Sequence, residues 1–203
     1  MPTGAEDVDE LTHHFTLKGP CLAWAMLQGQ KLYGSDPLDP QPVSMRSKCI
    51  ENRHGRLAPG WYGVLLGKST DGVTRAQYDE VAAKLPGMPM PPWGSAALNA
   101  KMGCVVGVVE ISHSLPYELC KHSEWASGPV CNIISNAGWI SEAVPCCGNL
   151  GAAPFKDRAT LNRVRELATQ AKRDGGILPT GGDRQFPRKQ PEVSAASRKR
   201  KVK

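Results

Sequence analysis

Met102-Gly103-Cys104-Val105-Val106-Gly107-Val108-Val109-Glu110-Ile111 is the stretch on which the fold class turns. Five β-branched residues in ten, Val105, Val106, Val108, Val109 and Ile111, make it the strongest strand of the chain. Gly103 and Gly107 interrupt that apolar run. Glycine inside a strand marks a bend, a bulge or a close backbone approach, as at the corner of a barrel. Outward from this strand, Trp61-Tyr62-Gly63-Val64-Leu65-Leu66 reads as a short buried strand, and Val130–Ser135 and Trp139–Val144 as two more. Short strands that do not alternate with long helices exclude a doubly wound parallel sheet.

Three helices complete the pattern. One covers 22–30, led by Pro20 and stopped near Gly29. Thr74 caps a second that runs to Leu85 and sets Tyr78, Val81, Ala82 and Leu85 on one face. The third spans Asp157–Arg173, with Asp157 as its cap and Leu161, Val164, Leu167, Ala168 and Ala171 at helical spacing. Ser35–Val43 and Gly87–Gly94 are too rich in proline and glycine for regular structure. The pattern reads as α+β, several short strands with a glycine-kinked central one and three helices.

The chain carries a sharp charge division. Arg184–Lys203 holds eight basic residues and one Glu, a net +7, which leaves the rest at 17 basic against 18 acidic, a net −1. The domain organisation expected is an acidic polar segment over 1–14, a folded domain over 15–174 and a disordered basic tail over 175–203. His13 and His14, in the polar N-terminal part, read as solvated. Arg198-Lys199-Arg200-Lys201 matches a short nuclear import signal, an extended basic strand read by acidic pockets of an import receptor. It also suits a non-specific nucleic-acid tether. The expected location is nuclear, with cytoplasmic as the alternative.

Other function classes have little support. The N-terminus lacks the basic and apolar regions of a signal peptide, and no run reaches the ~18 apolar residues of a membrane span. Seven cysteines, an odd number, fit a reduced intracellular monomer with no membrane partner. Cys120, His122, Cys131, Cys146 and Cys147 form no CxxC pair, so no metal and no cofactor is expected. Of the five tryptophans, Trp93 in the proline-rich loop is the candidate stacking platform for a base.

Gly29-Gln30-Lys31, then Glu51-Asn52-Arg53, then Gly60–Leu66, Gly103–Glu110 and Ile140–Gly148 follow a recognisable order. Together, over roughly Thr16–Phe155, they resemble the ASCH family, domains similar to the end of activating signal cointegrator. That family shows a proline-led helix ending Gly-x-Lys, a Lys-x-x-Glu-x-Arg signature, a strand with two glycines and a late Pro-x-x-Gly. The resemblance implies a small PUA-like β-barrel with helices packed around it, which agrees with the strands and helices read above. Nineteen residues separate Lys31 from Glu51 where the family has two, so 32–49 reads as a loop insertion.

By this resemblance Lys31, Glu51 and Arg53 share a cleft that binds RNA or a modified nucleotide. Lysine offers a point charge to a phosphate or carbonyl, and arginine a planar two-pronged donor. Some relatives instead hydrolyse the acetyl amide of N4-acetylcytidine with a lysine, a threonine and a glutamate. An amidohydrolase here would use Lys31 and Glu51, with Glu118 or Glu124 as the later carboxylate. Glu51 stands where that branch has its threonine, which ranks the enzyme second. A third reading is a transcription or RNA-processing adaptor that binds protein partners.

Overall fold

The structure, a computed structural model, describes residues 7–27, 47–68, 74–85, 90–148 and 151–188. Lys31, residues 32–46 of the expected insertion, and Arg198, Lys199, Arg200 and Lys201 lie outside the described residues. The strands are β1 (His13–Leu17), β2 (Ile50–Arg53), β3 (Gly60–Leu66), β4 (Cys104–Pro116), β5 (Val130–Pro145), β6 (Ala152–Pro154) and β7 (Ile177–Pro179). The helices are α1 (Pro20–Leu27), α2 (Arg75–Lys84), α3 (Ala96–Asn99), α4 (Tyr117–Cys120), α5 (Arg158–Arg173) and α6 (Gly182–Gln185).

The valine-rich run is the heart of the sheet. β4 pairs antiparallel with β3 on one side and β5 on the other, within the path β2-β5-β4-β3-β1-β6. β1 joins β3 in parallel, and β7 pairs β5 off that path. Register slips at Val64/Leu65, Val105/Gly107, Glu110/Ile111 and Ile111/His113. Each irregularity adds twist and bends its strand. The product is a mixed α+β architecture whose sheet curls into a half-barrel.

Both faces of β4 are covered, and its apolar run is continuous for that reason. Val106 and Val109 pack with Phe15, Met26, Leu27 and Ile134 on the α1 side. Val105 and Val108 pack with Val8, Leu11, Trp61 and the Val164 and Leu167 face of α5. The glycine at 107 serves a close approach: a Cβ there would lie 2.4 Å from a Leu27 methyl and 2.5 Å from the Gly138 carbonyl. Gly103 stands just ahead of the strand at φ 77°, in the turn that feeds it, and not within it as the sequence suggests. The capped helices form as their sequences predict. Thr74 accepts from the Gln77 amide, and Asp157 from the Ala159 and Thr160 amides.

Five expectations need correction. Residues 130–135 and 139–144 are one 16-residue strand, β5, and Gly138 does not break it. The missing side chain at Gly138 instead admits β7, whose approach puts the Gly176 carbonyl 2.4 Å from where a Cβ would stand. The N-terminal segment packs from residue 7 onward, with Val8 and Leu11 fully buried and His14 1% exposed in β1. His14 is therefore a core residue and not solvated.

Residues 175–188, read as tail from composition, are also part of the fold. Residues 175–188 carry β7 and α6, and Phe186 is 2% exposed among Ile133, Leu98 and Trp125. A few apolar anchors suffice there because β5 satisfies the backbone, the Thr180 amide donating to the Ser135 carbonyl at 2.7 Å. Finally, Trp93 is half-buried, set edge-on to Tyr78 at 5.6 Å, so it is a packing residue and no open platform. Among the described residues no helix is long and apolar enough to cross a membrane.

Candidate functional site

β2 is an edge strand of four residues, Ile-Glu-Asn-Arg, with a single apolar side chain. It holds its place through β5. Asn132 is fully buried, donates to the Glu51 carbonyl at 3.1 Å, and accepts from the Leu57 amide at 2.8 Å and the Ser114 hydroxyl at 2.7 Å. Just before β2, the Lys48 amide donates to the Ala25 carbonyl at 3.0 Å, satisfying one of the last, otherwise open carbonyls of α1. These bonds fix Lys48, Glu51 and Arg53 in one place.

The three side chains form a buried ion cluster. Lys48 Nζ lies 3.0 Å from Glu51 Oε2, and Arg53 Nη2 lies 3.2 Å from Glu51 Oε1. Lys48 Nζ also donates to the Ile50 carbonyl. Side-chain exposures are 5% for Lys48, 8% for Glu51 and 16% for Arg53. Burying an ion costs several kcal/mol unless partners replace its water, and here each carboxylate oxygen has its own cation. The Arg53 guanidinium sits 4.9 Å above the Phe15 ring and donates to the Thr16 carbonyl at 3.3 Å. Its Nε is buried without a partner.

Lys48 and Glu51 form the floor of a cleft of about 360 Å³. One wall is α2, through Gln77, Glu80, Val81 and Lys84. Another wall is the turn that carries Glu124, Trp125 and Ser127. Asn52 pins that turn, donating to the Trp125 carbonyl at 2.7 Å and accepting from the Ser127 amide at 3.0 Å. Lys84 pairs with Glu80 at 2.7 Å and stands 5.1 Å from the Trp125 ring centroid. Two lining residues carry a buried polar atom with no partner: Gln77 Oε1 and Trp125 Nε1.

Glu51 and Arg53, expected together, are together. Their ammonium partner is Lys48; Lys31 lies outside the described residues. The signal for Lys48 was in the sequence, because Lys48-Cys49-Ile50-Glu51-Asn52-Arg53 reads Lys-x-x-Glu-x-Arg without interruption. Glu118 does not join the site. It is three-quarters exposed on α4, pairs with Lys121 at 3.3 Å, and does not line the cleft, whereas Glu124 does. Trp93 does not line it either; Trp125, which no sequence pattern singled out, is its aromatic wall. Among the described residues no cluster of three or more His, Cys, Asp or Glu is arranged to hold a metal ion.

No family model matches this chain, and no curated protein is significantly similar to it.

Proposed function

We propose that this chain is a PUA-like domain of the ASCH type that holds one base of single-stranded RNA, or a modified nucleotide, in the Lys48/Glu51 cleft. One observation carries the reading. Gln77 Oε1 and Trp125 Nε1 are buried polar atoms without partners, and both residues line the same cleft. An unsatisfied buried polar group costs about 1–3 kcal/mol, which a ligand's complementary donor and acceptor recover. A base edge offers that pair. The size of the cleft, about 360 Å³, falls in the range of small-ligand sites. Three carboxylates, Glu51, Glu80 and Glu124, against Lys48 and Lys84 leave it near neutral, which suits a base better than a phosphate backbone.

The uninterrupted signature at Lys48–Arg53 supports the family reading and places the extra residues of the insertion before Lys48. Turnover of N4-acetylcytidine ranks second. A nucleophilic lysine needs a free lone pair, whereas Lys48 is ion-paired with Glu51 and bonded to the Ile50 carbonyl. Glu51 also occupies the threonine position of the hydrolase branch. The basic cluster Arg198–Lys201 is proposed to direct nuclear import.

Calorimetric titration with the four nucleosides, N4-acetylcytidine and short single-stranded RNAs, with acetate release followed in parallel, tests the reading. Saturable binding is expected, weakened at least tenfold by Lys48→Met and several-fold by Gln77→Leu in folded protein, with no acetate released. Acetate release that depends on Lys48 would make the chain an amidohydrolase. A wild type that binds none of these ligands would sink the proposal.

A further inference from the structure

Two concavities share Asn52 of β2. Besides the Lys48/Glu51 cleft there is an open groove of about 490 Å³, walled by Arg53, His54, Arg56 and Leu57. The two differ in charge. The first carries three carboxylates; no carboxylate lines the second, which has two arginines and a histidine. His54 and Arg56 are exposed, and among the described residues neither has an ion-pair partner.

Arg53 links the sites. Its guanidinium reaches Glu51 at the cleft floor while its side chain forms the groove wall, and the Phe15 ring beneath it fixes the plane. Its buried Nε remains without a partner. The Glu51 carboxylate holds the Arg53 guanidinium in place from the cleft side, and His54 and Arg56 line the groove with no carboxylate among its walls, an arrangement that receives a phosphate. Single-strand binders divide labour in the same way, with bases held on aromatic or near-neutral surfaces and phosphates along a basic track.

We propose that the Arg53/His54/Arg56 groove is a phosphate subsite for the backbone group adjoining the base held at Lys48 and Glu51. The ligand is then a phosphodiester-linked nucleotide of single-stranded RNA and not a free nucleoside. This inference rests on the base-binding reading above. The chemistry of the groove adds what the cleft lacks, a strand-specific, salt-sensitive grip on the backbone.

The test compares adenosine, cytidine, guanosine and uridine, their 3′- and 5′-monophosphates, and six-nucleotide homopolymers, titrated at several salt concentrations. The proteins are the full chain and its His54→Gln/Arg56→Gln variant. In the wild type, the phosphate-bearing ligands should bind at least fivefold tighter than the nucleosides at low salt. The variant should lose that advantage, and its log–log salt slope for the hexamers should fall by about 0.7 for each phosphate that is no longer neutralised. Its affinity for nucleosides should stay within about twofold. Equal hexamer affinity and slope in both proteins, or nucleosides binding as tightly as their phosphates, would overturn the subsite and leave the base cleft standing. A wild type that binds neither nucleosides nor RNA would overturn both.

Discussion

Glu51 gives one carboxylate oxygen to Lys48 and the other to Arg53, so a single residue of an edge strand positions the cations of two neighbouring concavities. Glu51 and Arg53 were legible from motif order alone. Lys48 was equally legible by spacing, but Gly29-Gln30-Lys31 at the end of the first helix offered a competing lysine. His14 was not legible, because its burial depends on β1 slotting between β3 and β6, far away in sequence. Its ring lies edge-on to Phe155 at 4.9 Å with Nδ1 unpartnered. Burial, with His13 adding to it, holds its pKa below the ordinary 6.5. The folded state therefore binds the proton more weakly than the unfolded chain. Stability from this site is complete above the ordinary value and is lost as the pH falls below it. Urea unfolding at pH 7 and pH 5 should show lower stability at pH 5, and His14→Phe should flatten that fall. An imidazole titration by NMR giving His14 a pKa at or above 6.5 would refute the argument.

At the scale of elements, periodicity identified what packs by periodicity. β3, α2 and α5 carry clear patterns and caps, and they stand within a residue or two of the expected bounds. β2, β6 and β7 carry no such pattern, since three or four residues with one or two apolar side chains become strands only by pairing with a partner. Of the two glycines expected in the central strand, Gly103 lies in the turn ahead of it, and the physical reason at Gly107 is the arrival of α1. Gly107→Ala would force its methyl against Leu27 and the Gly138 carbonyl. Overpacking of this kind costs about 1–3 kcal/mol, measurable by denaturant unfolding. Adding Leu27→Ala should not restore the loss, because the clash with the backbone oxygen remains and a core side chain is gone. Wild-type stability in Gly107→Ala would mean that α1 does not rest on β4.

For the whole molecule, the charge division near residue 184 is not a boundary of the folded body. The body includes residues 185–186 beyond it, because α6 places Phe186 in the core beside α2 and the cleft wall, and Gln185 accepts from the Cys49 thiol at 3.3 Å. Composition locates charge well and locates a lone buried aromatic poorly. Two truncations test this: a chain ending at Asp183 should be less stable than one ending at Arg188 by about 3 kcal/mol, the cost of losing a buried phenylalanine. Equal melting temperatures would put Phe186 outside the core. The central claim, that the Lys48/Glu51 cleft is a base-binding site, is tested most directly by an NMR titration of uniformly ¹⁵N-labelled protein with a short single-stranded RNA. Of the five tryptophan indoles, that of Trp125 should shift the most, together with the Gln77 side-chain amide and the backbone amides of 48–53. An unmoved Trp125 indole, with the shifts gathered around Cys104, Cys146 and Phe155 on the far cavity, would contradict the account.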